Sequence, residues 1–217
     1  MQEIYIIGAG GFGKEILFLI REINKAEGKI LFRGFIDRKN GTLSIAEKDY
    51  PIFAEEDKLE ELKENQNVGI AIAIGKPEGL RKVALRWKEN TQCSFPNLIH
   101  PNFTSYRETI KMKEGNIICS GCTFPVDITL GSFNVFNLNV TLGHDSIIGN
   151  YNIINPGANI SGDTKMGDAV LVGTNATILQ GLSIGDEVVI GAGSMVTKPL
   201  ENGVTVLGNP ARIMAKK

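Results

Sequence analysis

The stretch LGSFNVFNLNVTLGHDSIIG, Leu130 to Gly149, places a large apolar residue at every sixth position: Leu130, Phe136, Leu142 and Ile148. The register extends back through Phe124 and Ile118 to Met112. It runs forward through Ile154, Ile160, Met166, Val172, Ile178, Ile184 and Ile190 to Val196, without an insertion. In a chain of 42% hydrophobic composition, fifteen consecutive hits in any of six registers would arise by chance about once in 10^5 sequences, so the period is structural. Neither a helical nor an alternating period explains it.

A second signal follows one position on. Gly131, Gly143, Gly149, Gly167, Gly173, Gly185 and Gly191 each follow a repeat residue, and Asn137 and Asn155 fill two of the other slots. Both residue types tolerate positive φ, so the pattern predicts one turn per hexad at that slot. Short strands joined by such turns, three to a coil, wind a triangular parallel β-helix with the repeat residues stacked along its axis. Fifteen hexads give five coils, about 24 Å at the spacing of paired strands. Apolar residues between the repeat positions, such as Phe133 and Val135, are expected on the outer faces, where a short prism would associate by threefold symmetry.

The first hundred residues have a different texture. Gly8-Ala-Gly-Gly-Phe-Gly13 follows the apolar run Ile4–Ile7 and opens a helically spaced segment, Phe12, Ile16, Ile20 and Ile23. That is the setting of a dinucleotide-binding fingerprint, and Asp37, 24 residues past Gly13, supplies an acidic residue for a ribose hydroxyl. The pattern predicts strands at 3–8, 30–36, 68–74 and 95–99 and helices at 12–24, 54–65 and 78–89, hence a small parallel α/β sheet. One hundred residues allow one Rossmann-like half, which weighs against a nicotinamide-dependent oxidoreductase. The loop's N–H groups and the positive end of the first helix still suit an anionic ligand such as a nucleotide diphosphate. Ile74-Gly75-Lys76-Pro77 predicts a second corner of the same kind. We place the domain boundary between residues 101 and 102.

A net charge of −1 over 217 residues offers no field for nucleic acid or an anionic membrane. No apolar run is long enough to span a bilayer, and no signal peptide is evident, which points to the cytoplasm. Cys93, Cys119 and Cys122 make neither a disulfide framework nor a metal set, so no metal is expected.

Acyl or proton chemistry at neutral pH calls for a histidine, and there are two. His100 precedes Pro101 at the domain junction, where a structural role at a turn is expected. His144 falls two residues after a repeat aliphatic, where the chain turns outward, and Asp145 beside it could hold one ring nitrogen. From these residues alone, an ordinary surface histidine on a non-catalytic scaffold remains open.

The [Leu/Ile/Val]-Gly hexads resemble the hexapeptide-repeat acyltransferases. Together with the Gly8–Gly13 loop, Phe35-Ile-Asp37, Ala73-Ile-Gly75, Asn97-Leu-Ile-His-Pro101 and the tail Val206-Leu-Gly-Asn-Pro-Ala-Arg212, the chain resembles the bacterial sugar O- or N-acyltransferases, which include nucleotide-aminosugar N-acetyltransferases. The resemblance implies a left-handed β-helix at residues 102–217, including the C-terminal tail, and a homotrimer. It implies an acyl donor, acetyl-CoA, along the prism edge against Gly173, Thr174, Gly191, Ala192 and Lys198. A nucleotide-linked sugar acceptor is implied on the N-terminal domain at Gly10, Gly11, Phe12, Asp37, Arg38 and Gly75. His144 becomes the catalytic base, with Asp145 raising its basicity. Where many members carry a second histidine beside the thioester, this chain has Ile153, leaving backbone or apolar contact there.

Overall fold

The computed structural model describes residues 1–214. Met1–Gly75 with Gly79–Pro101 forms one compact unit; the chain from Asn102 onward, with Lys76–Glu78, forms the other.

The first unit contains β1 (Gln2–Ile7), α1 (Gly11–Glu27), β2 (Ile30–Asp37), β3 (Gly41–Ile45), β4 (Lys48–Ala54), α2 (Glu55–Glu61), β5 (Val68–Ile72) and all but the first two residues of α3 (Pro77–Asn90). Its sheet runs β3-β4-β2-β1-β5. Strand β1 is paired in parallel on both sides, and Ile4 to Ile7 are all buried, as a strand covered on both faces requires. Helix α1 buries Ile16, Leu17, Leu19, Ile20 and Ile23 and stops at Gly28, whose φ of 64° lets its N–H bond Asn24 O at 3.0 Å.

The sheet is mixed, not wholly parallel as the sequence pattern predicts. Strands β3 and β4 form an antiparallel hairpin between β2 and α2, and β4 pairs in parallel with β2. The turn, Ala46 (φ 49°) and Glu47 (φ 60°), has the two positive φ values of a tight hairpin without the Asn-Gly that normally announces one.

In the second unit, strands of two or three residues pair in parallel with partners eighteen residues on. Thr141 faces Asn159, Ile147 faces Lys165, and Ile153 faces Leu171. Three faces therefore wind around a core in which no repeat residue from Ile118 to Val196 is more than 3% exposed. Eighteen residues per coil is three hexads, so every side chain stacks on its own kind of position one coil away.

Two expectations about the hexad are corrected. The positive φ falls two residues later than predicted, at Asp127, Phe133, Asn139, Asp145, Tyr151, Asp163, Ala169, Asn175 and Glu187, with glycines such as Gly157 in the remaining slots. The glycines after the repeat residues serve closeness. A Cβ on Gly131 would lie 2.4 Å from Gly149 O, and one on Gly173 would lie 2.4 Å from Ala192 N, so the next coil's backbone occupies that space. Second, Phe133 and Val135 are each 2% exposed. The Phe133 ring stacks on Tyr151 of the next coil, with centroids 5.7 Å apart and planes 5° off parallel. On its other side Gly115 leaves room where a Cβ would come within 2.5 Å of the ring.

One corner carries a buried amide ladder. Asn116, Asn134 and Asn152 are 0% exposed. Asn134 Nδ2 donates to Asn116 Oδ1, Asn152 Nδ2 donates to Asn134 Oδ1, and each acceptor also takes the N–H of the residue above it. Buried polar groups are thus satisfied coil by coil, which locks the stacking register.

Candidate active site

His144 stands at the corner that follows strand Thr141–Leu142. Its side chain is 53% exposed and that of Asp145 62%. Asp145 takes the positive φ of the corner, 60°, which turns its carboxylate back along the ring. Nδ1 and Asp145 Oδ2 are 2.8 Å apart. With Nδ1–H donating to that carboxylate, the lone pair of Nε2 is left free to accept a proton.

The repeat identifies what else shares this edge. Steps of eighteen residues from His144 reach Gly162, Gln180 and Lys198. A Cβ on Gly162 would lie 2.7 Å from His144 Nε2, so the imidazole leans over the bare Cα of the next coil. Lys198, exposed, sits three coils from His144, about 14 Å along the edge.

The face leading into this corner carries an outward polar column, Thr123, Thr141, Asn159 and Thr177. The Thr141 hydroxyl donates to Asn159 Oδ1 at 2.9 Å. A groove of about 330 Å³ runs along it, bordered by Thr123, Thr141, Asn159, Ser161 and Gly143, the residue before His144. The corner at the far side of the same face carries Thr174 and Ala192, stacked one above the other and both exposed. Gly193 N–H bonds Thr174 O at 2.8 Å. Gly173 and Gly191 precede them and let adjacent coils touch. Ile153 lies elsewhere: it faces Val135 and Leu171 on another face and is 2% exposed.

In the first unit the sequence-predicted residues meet at the carboxyl edge of β1, β2 and β5. Asp37 Oδ2 accepts Ala9 N–H at 2.9 Å and Oδ1 accepts Arg38 N–H at 2.7 Å, so this carboxylate ties the end of β2 to the glycine loop. The loop's glycines divide into two groups. Gly8 has φ 105° and its Cβ would lie 2.7 Å from Ala73 O; a Cβ on Gly13 would lie 2.1 Å from Gly8 O. These two are required by packing. Gly10, Gly11 and Gly75 have nothing within 4 Å of a Cβ position and are exposed. The start of α1 carries no acidic residue in its first turn and no side-chain cap at Gly10, so no side chain of the helix start offsets the positive end of its dipole. Phe12 is half-buried and Arg38 exposed beside this edge.

All three cysteines are free and buried, and burial pushes the Cys122 thiol up to about 11, which suits packing and not nucleophilic chemistry. His100 is half-buried. Among the described residues no cluster of three His, Cys, Asp or Glu could hold a metal ion, and no helix is long and apolar enough to cross a membrane.

The chain matches two family descriptions, the PglD N-terminal domain over residues 3–86 and the bacterial transferase hexapeptide of six repeats over residues 163–198. It is similar throughout its length to solved structures. WeeI from Acinetobacter baumannii AYE is 30% identical over 99% of this chain and 100% of that one, with a TM-score of 0.82. The acetyltransferase domain of PglB from Neisseria gonorrhoeae FA1090, in complex with acetyl coenzyme A, is 26% identical over 98% and 99%, with a TM-score of 0.87. A variant of perosamine N-acetyltransferase from Caulobacter crescentus, in complex with CoA and GDP-perosamine, shares the fold at 22% identity over 100% and 98%, with a TM-score of 0.89. Among curated proteins none matches the chain by sequence. With the hexapeptide match and these likenesses, the prism is a left-handed parallel β-helix.

Proposed function

Because this chain belongs to the bacterial hexapeptide-repeat sugar acyltransferases that carry a PglD-type N-terminal domain, we propose that it transfers the acetyl group of acetyl-CoA to an amine or hydroxyl of a nucleotide-linked sugar, with His144 as general base. The observation that carries this reading is the 2.8 Å pairing of His144 Nδ1 with Asp145, directly after Gly143, which lines the groove. Nε2 takes the proton of the acceptor as its nitrogen or oxygen attacks the thioester carbonyl. Collapse of the tetrahedral adduct expels the CoA thiolate, which receives that proton from the imidazolium. Backbone N–H groups at the edge stabilise the oxyanion; that of Gly162 bonds no acceptor among the described residues.

Acetyl-CoA lies along the prism edge against Gly173, Thr174, Gly191 and Ala192, and Lys198, at the His144 corner of the same face, offers a cation to a donor's phosphates; Ile153, buried on another face, takes no part. The sugar nucleotide is held on the first unit. Gly10, Gly11, Phe12 and Gly75 bring bare backbone to the phosphates, Arg38 pairs with them, and Asp37, while bracing the loop, accepts a ribose hydroxyl with its remaining lone pairs. The enzyme works as a homotrimer in the cytoplasm. Exposed Leu138, Ile147 and Leu179 take the place of Phe133 and Val135 as the apolar surface for association.

A panel of sugar nucleotides assayed with acetyl-CoA by release of free thiol tests the reading. Turnover with at least one member, lost in His144→Ala while acetyl-CoA still binds, is expected. Undetectable acetyl-CoA binding by the intact chain would refute it and favour a non-catalytic scaffold.

A further inference from the structure

We infer that Gly162 is a positioning residue for His144: its missing side chain is the space in which the end of the imidazole that carries Nε2 is held. The inference rests on the reading of His144 as the base.

Three observations converge. A Cβ on Gly162 would lie 2.7 Å from Nε2 and 2.9 Å from both Cδ2 and Cε1, so the Nε2 end of the ring, and not its edge near Cβ, occupies that space. No turn requires glycine there, because the positive φ of this corner belongs to Asp163, at 54°. The corresponding slots along the same edge hold Val126, His144, Gln180 and Lys198, all with side chains. The glycine is therefore specific to the coil that faces the imidazole. The ring is fixed at two ends, with Nδ1 on Asp145 at 2.8 Å and Nε2 against the Gly162 backbone.

An alanine at 162 would have to move the Nε2 end from 2.7 Å to at least the 3.4 Å of ordinary contact. The obstacle is the far end of an exposed side chain, so the ring swings and the coil does not deform. Swinging breaks the alignment with Asp145 and displaces the proton acceptor by a substantial part of an ångström. A misplacement of that size costs roughly 10- to 100-fold in rate.

The test is a double-mutant cycle on the full-length protein, with kcat and both KM values from thiol release and the tautomer of His144 from imidazole 15N shifts. Gly162→Ala is expected to lower kcat roughly 10- to 100-fold, to leave both KM values within about twofold, and to erase the Nδ1–H tautomer preference. It should add nothing in a His144→Ala background. If His144→Ala lowers kcat severely but Gly162→Ala keeps kcat and the tautomer, or costs equally in both backgrounds, Gly162 does not act through the imidazole and the inference is overturned. If His144→Ala itself keeps kcat, the base assignment fails, and the positioning role with it.

Discussion

Asn134→Leu tests the amide ladder on which the prism's register depends. The Asn134 side chain accepts the backbone N–H and an Nδ2 proton of Asn152, both at 3.0 Å, and donates to Asn116 Oδ1 at 3.0 Å and Gly149 O at 2.9 Å. Leucine is close in shape and removes all four bonds. Asn116 Oδ1 keeps the Asn134 N–H, and Gly149 O is only partly buried, so these two losses are small. The two Asn152 donors are left buried and unpaired, because Asn152 is 0% exposed. At about 1–3 kcal/mol each they cost about 4 kcal/mol together, and added apolar contact returns about 1 kcal/mol. A net loss near 3 kcal/mol, at a slope of about 3 kcal/mol per molar urea, moves the midpoint down by roughly 1 M. Urea unfolding followed by far-UV circular dichroism, at fixed protein concentration, measures it. A shift under about 0.3 M would mean that the Asn152 donors find other partners and that the ladder does not hold the coils in register.

Asp145→Asn should lower kcat by less than His144→Ala, which is expected to lose roughly 10²-fold or more, while both KM values stay near wild type; steady-state kinetics decide, and equal losses would mean that the two act only as a unit. Gly11→Val, placed where a Cβ meets nothing within 4 Å, should raise KM for the sugar nucleotide roughly tenfold with the KM for acetyl-CoA and the melting temperature unchanged; parallel loss of both affinities would make the loop structural. Cys122 links stability to alkaline pH. The folded thiol, pushed up to about 11 by burial, keeps its proton where the unfolded thiol has lost it, so its contribution is complete below the ordinary thiol range and is lost as pH rises through 11. Unfolding free energies of wild type and Cys122→Ala should therefore converge between about pH 9 and 11, by up to about 3 kcal/mol. A constant difference over that range would refute it.

The hexads are legible because stacking repeats the same demand at Leu130, Phe136, Leu142 and their successors. What the corner residues do is less so. A glycine answers two different requirements, positive φ and close approach, and at Gly131 and Gly173 the second one applies. The true left-handed positions do hold mostly Gly, Asn or Asp, but the regular glycines after the repeat residues draw the eye to the wrong slot, and Phe133, Tyr151, Ala169 and Glu187 interrupt the series itself. Ala46-Glu47 hides the hairpin for the same reason. The burial of Val135 and Ile153 is invisible because their alternation with the core residues says only that they point outward, not what lies over them. At the site, His144 and Asp145 are neighbours in sequence and their pairing could be read directly. Gly162 is eighteen residues away, and its relation to the imidazole exists only once the coil length is known. The lone glycine among Val126, His144, Gln180 and Lys198 was its one sequence signal.

The fixed coil length also governs how such a chain can change. Since each strand pairs with the residue eighteen places on, as Thr141 does with Asn159, deleting one residue between His144 and Gly162 would shift every later position by one slot. Core aliphatics such as Met166 would then take the outward strand slot before them, glycines such as Gly167 would fall in the core, and the imidazole would face Asp163. Length within the prism can vary only in whole coils, or as loops extruded at a corner with both flanking strands kept in phase. A gene encoding this fold thus tolerates substitution far more readily than insertion, and whole-coil duplication is the natural unit by which the distance between the imidazole and Lys198 could be reset.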